Sequence, residues 1–286
     1  MVYESPTLVP LGLAGGQGKT TVALMTGRIL AKLGIPVLFI DADPQASLTA
    51  FLGIETTERP TLLEVLTRSA AKVPLYSAIH EVPGCENLFL IPANDELESA
   101  NHALAASGMS INVLRKRLYQ IDEDVAENEK IVRNFGLIIV DPPPERSHLA
   151  LTALGSADCW VIPAEANIKG VKSLQRTKEL VESCSAMVPN GELLGVMPFR
   201  AKWVGLNPTA TTREAIEVMK VIVGTDKVLP HILESDVYKK AINDQILPSE
   251  LNKSDLEYPI KFLINLIKKR LGPFAEKVAD LEGIAA

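Results

Sequence analysis

Gly15-Gly16-Gln17-Gly18-Lys19-Thr20-Thr21 is the stretch on which the fold turns. It follows an apolar run at 8–13 that predicts a strand, and it opens a segment of helical period at 20–33. Strand, glycine turn and helix in that order are the context a phosphate loop requires. Glycines let successive backbone N–H groups turn inward around phosphate oxygens, and the helix N-terminus adds the positive end of its dipole. Gly15, Gly16, Gln17, Gly18, Lys19, Thr20 and Thr21 are therefore the candidate nucleotide-binding residues, with Lys19 reaching the β and γ phosphates and the Thr20 hydroxyl on Mg2+. A turn that only capped a helix would have no need of Gly-Lys-Thr at this spacing. Gly34 and Pro36 close the helix and start the next strand, which completes a first βαβ unit.

Outward from that unit, strand-like runs at 37–40, 88–91, 137–140, 160–163, 193–197 and 228–233 alternate with helical candidates at 62–69, 110–121, 170–188, 208–223 and 259–271. The alternation predicts an α/β fold, a mostly parallel twisted sheet flanked by helices on both faces. Pro10 lacks a backbone donor, which predicts a place at a strand edge or beginning. Residues 122–130 read as an acidic, polar surface segment. At 286 residues and 47% apolar, residues 1–286 are expected to form a single P-loop domain, with a C-terminal helix at about 259–271 and a loosely patterned tail at 272–286.

The longest apolar runs fall far short of the roughly 20 residues that cross a bilayer, and the first residues do not resemble an export signal. A cytoplasmic protein with no membrane partner is expected. Cys85, Cys159 and Cys184 have no paired spacing, which argues against a disulfide framework or a zinc site. A net charge of -6 excludes general electrostatic attraction to nucleic acid and leaves room only for a local basic face.

Two acidic strand ends complete the pattern. Asp41-Ala42-Asp43-Pro44-Gln45 ends the second strand, where strand termini converge on bound phosphates, and Asp141 ends the apolar run at 137–140. A carboxylate near Mg2+ and the γ phosphate can position water without a covalent intermediate. Thr20 and Asp141 are candidate metal-site residues, with Asp41 and Asp43 brought to the same place. Asn252-Lys253-Ser254-Asp255 matches a guanine-reading motif but follows no buried strand, so ATP is favoured over GTP.

The segment Ala14 to Thr21, the Asp-x-Asp-Pro-Gln run and Asp141, with a looser match at Pro163-Ala164-Glu165, Gly170, Ser173 and Leu174, resemble the ParA/MinD-type variant Walker ATPases. The resemblance implies an ATPase using ATP and Mg2+, with Lys19 and Asp43 catalytic, Asp41 supporting the magnesium shell and Asp141 holding the ion through water. It implies an adenine contact at Pro198 and Phe199, and an ATP-bound homodimer on nonspecific nucleoid DNA held through Lys261, Lys268, Lys269 and Arg270, with Lys239 and Lys240 extending the patch. It also implies an adaptor protein that stimulates hydrolysis. One position departs from the pattern, because Ala14 stands where the family has a lysine that crosses the dimer interface. Lys169 is the preferred replacement, with Arg146, Lys172, Arg200 and Lys202 as competitors. The missing lysine makes the chain look most like the carboxysome-positioning branch; a plasmid or chromosome partition ATPase and a nucleotide-binding scaffold with little turnover are the alternatives.

Overall fold

Strands covered on both faces have no reason to alternate apolar with polar residues, and the central strands of this protein do not. The computed structural model describes residues 3–54, 59–108, 110–120, 131–188 and 191–284, so the acidic segment 122–130 lies outside the described residues. In chain order the elements are β1 (Thr7–Pro10), α1 (Lys19–Lys32), β2 (Val37–Asp41), α2 (Ser47–Phe51), α3 (Leu62–Thr67), β3 (His80–Glu81), β4 (Leu88–Ile91), α4 (Ala100–Ala106) and α5 (Val113–Tyr119). There follow β5 (Leu137–Asp141), α6 (His148–Ser156), β6 (Cys159–Glu165), α7 (Ile168–Cys184), β7 (Glu192–Phe199), the hairpin β8 (Trp203–Val204) and β9 (Asn207–Pro208), α8 (Ala210–Val223), α9 (Asp236–Asn243) and α10 (Tyr258–Ile267).

Seven strands pair in the order β3-β4-β2-β5-β1-β6-β7, and every pairing is parallel except that of β3 with β4. Alternate side chains feed two cores. Leu38, Ile40, Ile138 and Val140 pack with Leu149 of α6 and Leu174 of α7 on one face. Val37, Phe39, Leu137 and Ile139 pack with Leu24 of α1 and Leu263 of α10 on the other. The expected sheet between helix layers is what the chain builds. Because β2, β5 and β1 are adjacent and parallel, the loops that follow them leave the sheet at one edge, which gathers the glycine loop and both acidic strand ends.

Three local expectations are corrected. Pro10 is the last residue of β1, a strand with neighbours on both sides, and not an edge or first residue. The registered pairing of β1 with β5 ends at Leu8 and Ile139, and Leu11 donates to Val161 on the β6 side, so the missing donor falls where β1 has already parted from β5. Residues 228–233 are not a strand: isolated bridges join Val196 to Val228 and Ala201 to Leu233, and the donors to β7, Leu229 N and Ile232 N, fall three residues apart where a regular parallel ladder takes every second one. The C-terminal helix ends at Ile267 and continues as tight turns through a kink at Gly272.

Candidate functional site

The loop after β1 is held open by backbone geometry. Gly16 (φ 77°) and Gly18 (φ 99°) adopt left-handed conformations, and no side chain caps α1. A Cβ on Gly15 or Gly16 would meet nothing within 4 Å, whereas one on Gly18 would lie 2.6 Å from the Phe199 ring. The loop therefore has a solvent side with room for a ligand and a protein side with none. Its other members point inward. Gln17 is fully buried, and its Oε1 accepts from the Glu165 backbone N–H at 2.9 Å. Lys19 is 7% exposed, with Nζ 3.5 Å from the Ala14 carbonyl.

Both acidic strand ends arrive beside this loop, and register puts them side by side, Asp41 opposite Asp141. Thr20 donates to Asp141 Oδ2 at 2.6 Å, while the buried Asp141 Oδ1 has no partner. Burial pushes the Asp141 carboxyl up to about 6, against the lowering effect of the Thr20 bond and the Lys19 charge, with Asp43 pushing the same way as burial. Burial, then the Asp141 charge, pushes Asp41 up to about 7 although Thr49 and Asp43 donate to it. Lys19 is lowered by burial, with Asp141 and Asp43 acting in the opposite sense.

Asp41 spends its oxygens on its own chain. Oδ2 accepts from the Thr49 N–H at 2.8 Å and hydroxyl at 2.7 Å, and Oδ1 from the Asp43 N–H at 3.2 Å. Thr49 Oγ1 in turn accepts from Ala93 N at 3.1 Å, which ties the loop after β2 to the end of β4. Asp43, half-buried, accepts from Gln45 N at 3.0 Å. Nothing in the sequence signalled Thr49, since its offset of eight positions from Asp41 follows no known spacing rule.

The residues fit a divalent cation on one condition. Two buried carboxylates abut, one oxygen is unpartnered, and a hydroxyl adjoins it. Among the described residues, however, no cluster of three or more His, Cys, Asp or Glu side chains holds a metal by itself. A cation here must take ligands from the phosphates it accompanies, as Mg2+ at a phosphate loop does.

The remaining sequence candidates separate cleanly. Lys169, exposed in the first turn of α7, lies with Nζ 3.4 Å from the Gly15 carbonyl. Among its competitors, Arg200 pairs with Glu165 at 3.7 Å and Lys202 with Glu234 at 3.4 Å, while Arg146 and Lys172 are exposed. Pro198 is buried, and Phe199, 6% exposed, is core packed beneath Gly18 rather than an open ring; next to it a cleft of about 190 Å³ opens between Thr21, Arg200, Ser235 and Tyr238. Lys261 does not belong on a DNA-binding surface. Its side chain is 11% exposed and pairs with the buried Glu257 at 3.0 Å, because position 261 falls on the apolar face of α10. Lys269 is exposed, Lys268 is half-buried, and Arg270 pairs with Glu192. No described helix is long and apolar enough to cross a membrane.

The AAA domain family (AAA_31) matches residues 11–188. Maintenance of carboxysome distribution protein A from Synechococcus elongatus is 41% identical over 260 residues, 90% of this chain and 97% of the relative. Chromosome partitioning protein ParA from Caulobacter vibrioides is 31% identical over 186 residues, 64% of this chain and 65% of the relative. The structure of an aspartate-to-alanine variant of Cyanothece McdA in complex with ATP superposes with a TM-score of 0.84 at 41% identity, covering 93% of this chain and 97% of that one.

Thr49→Val keeps the shape of the residue but strips a hydroxyl from Asp41 and an acceptor from the buried Ala93 N–H. It is expected to lower the stability in urea titration by about 1 to 3 kcal/mol.

Proposed function

This chain belongs to the family of maintenance of carboxysome distribution protein A, within the ParA-type P-loop ATPases, and from that premise we propose that it is an ATP-driven dimerising switch that positions a carboxysome-type cargo on nonspecific DNA. The observation that carries the reading is Lys169. A solvent-exposed ammonium stands at the rim of a phosphate loop whose own position 14 is alanine, so the cation that neutralises phosphate across a two-fold interface comes from α7.

In this reading the loop amides of Gly15 to Thr21 hold the phosphates and Lys19 neutralises them from below. Thr20, Asp141 and Asp43 surround the place of Mg2+, which when bound supplies positive charge against the phosphate oxygens. Asp41 acts one step back: held by Thr49, it fixes the N–H of Asp43 and so aims that side chain. Asp43, the half-buried carboxylate on the solvent side of the loop after β2, orients the attacking water. The cleft beside Thr21 takes the base, with Pro198 and Phe199 supporting the loop from behind rather than touching the ring.

DNA is held by phosphate contacts from Lys268, Lys269 and Arg270, a smaller face than the sequence alone suggested, with Lys239 and Lys240 extending it. A chain of net charge -6 binds DNA through such a local patch, and the more weakly as salt rises. An adaptor stimulates hydrolysis and releases the dimer, and the protein works on the nucleoid.

Light scattering after size exclusion tests the central claim: dimer with ATP and Mg2+, monomer with ADP, and Lys169→Ala or Lys169→Glu monomeric with either. A normal ATP-bound dimer from both Lys169 variants would remove Lys169 from the interface. Asp43→Ala should bind ATP with near-normal affinity while phosphate release falls on the order of a hundredfold; unchanged release takes Asp43 out of the mechanism and sustained absence of release in the parent chain points to a scaffold. Lys269→Glu should weaken duplex DNA binding irrespective of sequence and reduce the slope of log affinity against log salt by about one.

A further inference from the structure

We propose that Gln17 is a positioning residue that couples the phosphate loop to the N-terminal end of α7, so that a filled loop and a correctly presented Lys169 are one state. The inference rests on the role given to Lys169 above, and it concerns how that side chain is held.

Parallel strands leave a donor unpaired wherever a neighbour turns away. β1 leaves β6 after Leu11, whose N–H still reaches the Val161 carbonyl at 2.8 Å. Further along, the Ala166 N–H goes to Phe199 on the β7 side at 2.8 Å, so the N–H of Glu165 faces the side that β1 has vacated. Gln17 fills the gap: its Oε1 takes the Glu165 N–H at 2.9 Å, standing in for the strand carbonyl that is no longer there. Its neighbours Gly15 and Gly16 are exposed while Gln17 is fully buried, so this side chain has been turned into the protein to make that bond. The other end of the amide, Nε2, lies 3.5 Å from the Gly15 carbonyl, the same oxygen that Lys169 reaches at 3.4 Å.

Glu165 passes any displacement on to α7. A Cβ at Gly170 would sit 1.9 Å from the Glu165 carbonyl, so the helix and the strand end are in backbone contact. The Asn167 N–H donates to the Glu165 carbonyl at 2.7 Å, and Asn167 Oδ1 caps the helix by accepting from Gly170 N at 3.0 Å. Lys169 lies between those two residues. A second tie, from Leu13 N to Thr177 Oγ1 at 3.0 Å, anchors the loop to the body of α7, which leaves Gln17 to fix its tip. Phosphate contact with the loop amides therefore bears on the bond that holds the strand end leading into α7.

Gln17→Met keeps the length and volume and removes the acceptor toward Glu165. The loop offers phosphate its backbone N–H groups, which Gln17→Met leaves in place, so we expect ATP affinity and KM within about threefold of the parent, with ATP-dependent dimerisation and kcat each lowered about tenfold. Equal losses in affinity and dimerisation, or no loss in either, would overturn the proposal. Hydrogen exchange with ADP supplies a readout that needs no dimer. ADP should slow exchange in both 14–21 and 165–171 of the parent chain, but only in 14–21 of Gln17→Met; protection of 165–171 in the variant overturns the coupling. If the parent chain does not dimerise with ATP yet shows this exchange pattern, the dimer reading fails and the coupling stands.

Discussion

A buried ammonium beside two carboxylates is the interaction on which the site depends. Lys19 is taken almost wholly out of water, which disfavours its charge, and Asp141 and Asp43 offset part of that effect. The exchange is mutual, since Lys19 is among the groups that hold the Asp141 carboxyl down against its burial. Asp41 lies across the strand pairing from Asp141 and feels that charge as repulsion. Such an arrangement is tolerable only if each member stays where strand register puts it. Slipping β2 against β5 by one residue would send Asp41 to the other face together with every apolar neighbour, so the hydrophobic cores on both sides of the sheet also fix the electrostatics.

The two halves of the site answer to different physics. Lys19, Asp41 and Asp141 sit on or next to strand ends with apolar layers above and below, and their positions are settled by folding. Lys169 and Asp43 are on the solvent side, with contacts of one carbonyl and one turn amide. The first set suits groups that must meet every nucleotide identically. The second suits groups that respond to a γ phosphate or to another copy of the chain.

Legibility in the sequence followed the same division. The glycine loop, the Asp-x-Asp run and Asp141 could be read because each is a short local pattern at the end of an apolar run, and the structure brings all three to one edge. Position 261 could not, because a lysine on a helix with a basic end is read as surface until the facing Glu257 is known to be buried with it. Residues 228–233 have strand composition, yet their donors to β7 fall three residues apart and no regular ladder forms. Thr49 and the inward turn of Gln17 were invisible for a different reason. Both satisfy backbone donors, those of Ala93 and Glu165, that become orphans only once neighbouring strands diverge.

Lys169, proposed above as the stand-in for a family lysine, occupies a place where a cation meets a helix end. A cation in the first turn of α7 faces the positive end of the helix dipole, an unfavourable placement worth roughly 0.3 to 1 kcal/mol at a surface. Its present partner, one loop carbonyl at 3.4 Å, compensates little. A phosphate brought to the same rim would be attracted at once by the ammonium and by the helix end, turning two repelling positive charges into a paired anion site. At position 14 a lysine would have had the loop backbone alone behind it. On α7 the charge is carried by a 17-residue helix whose base is packed against the sheet and tied to the phosphate loop, so the pull of a phosphate on Lys169 acts on a whole structural element.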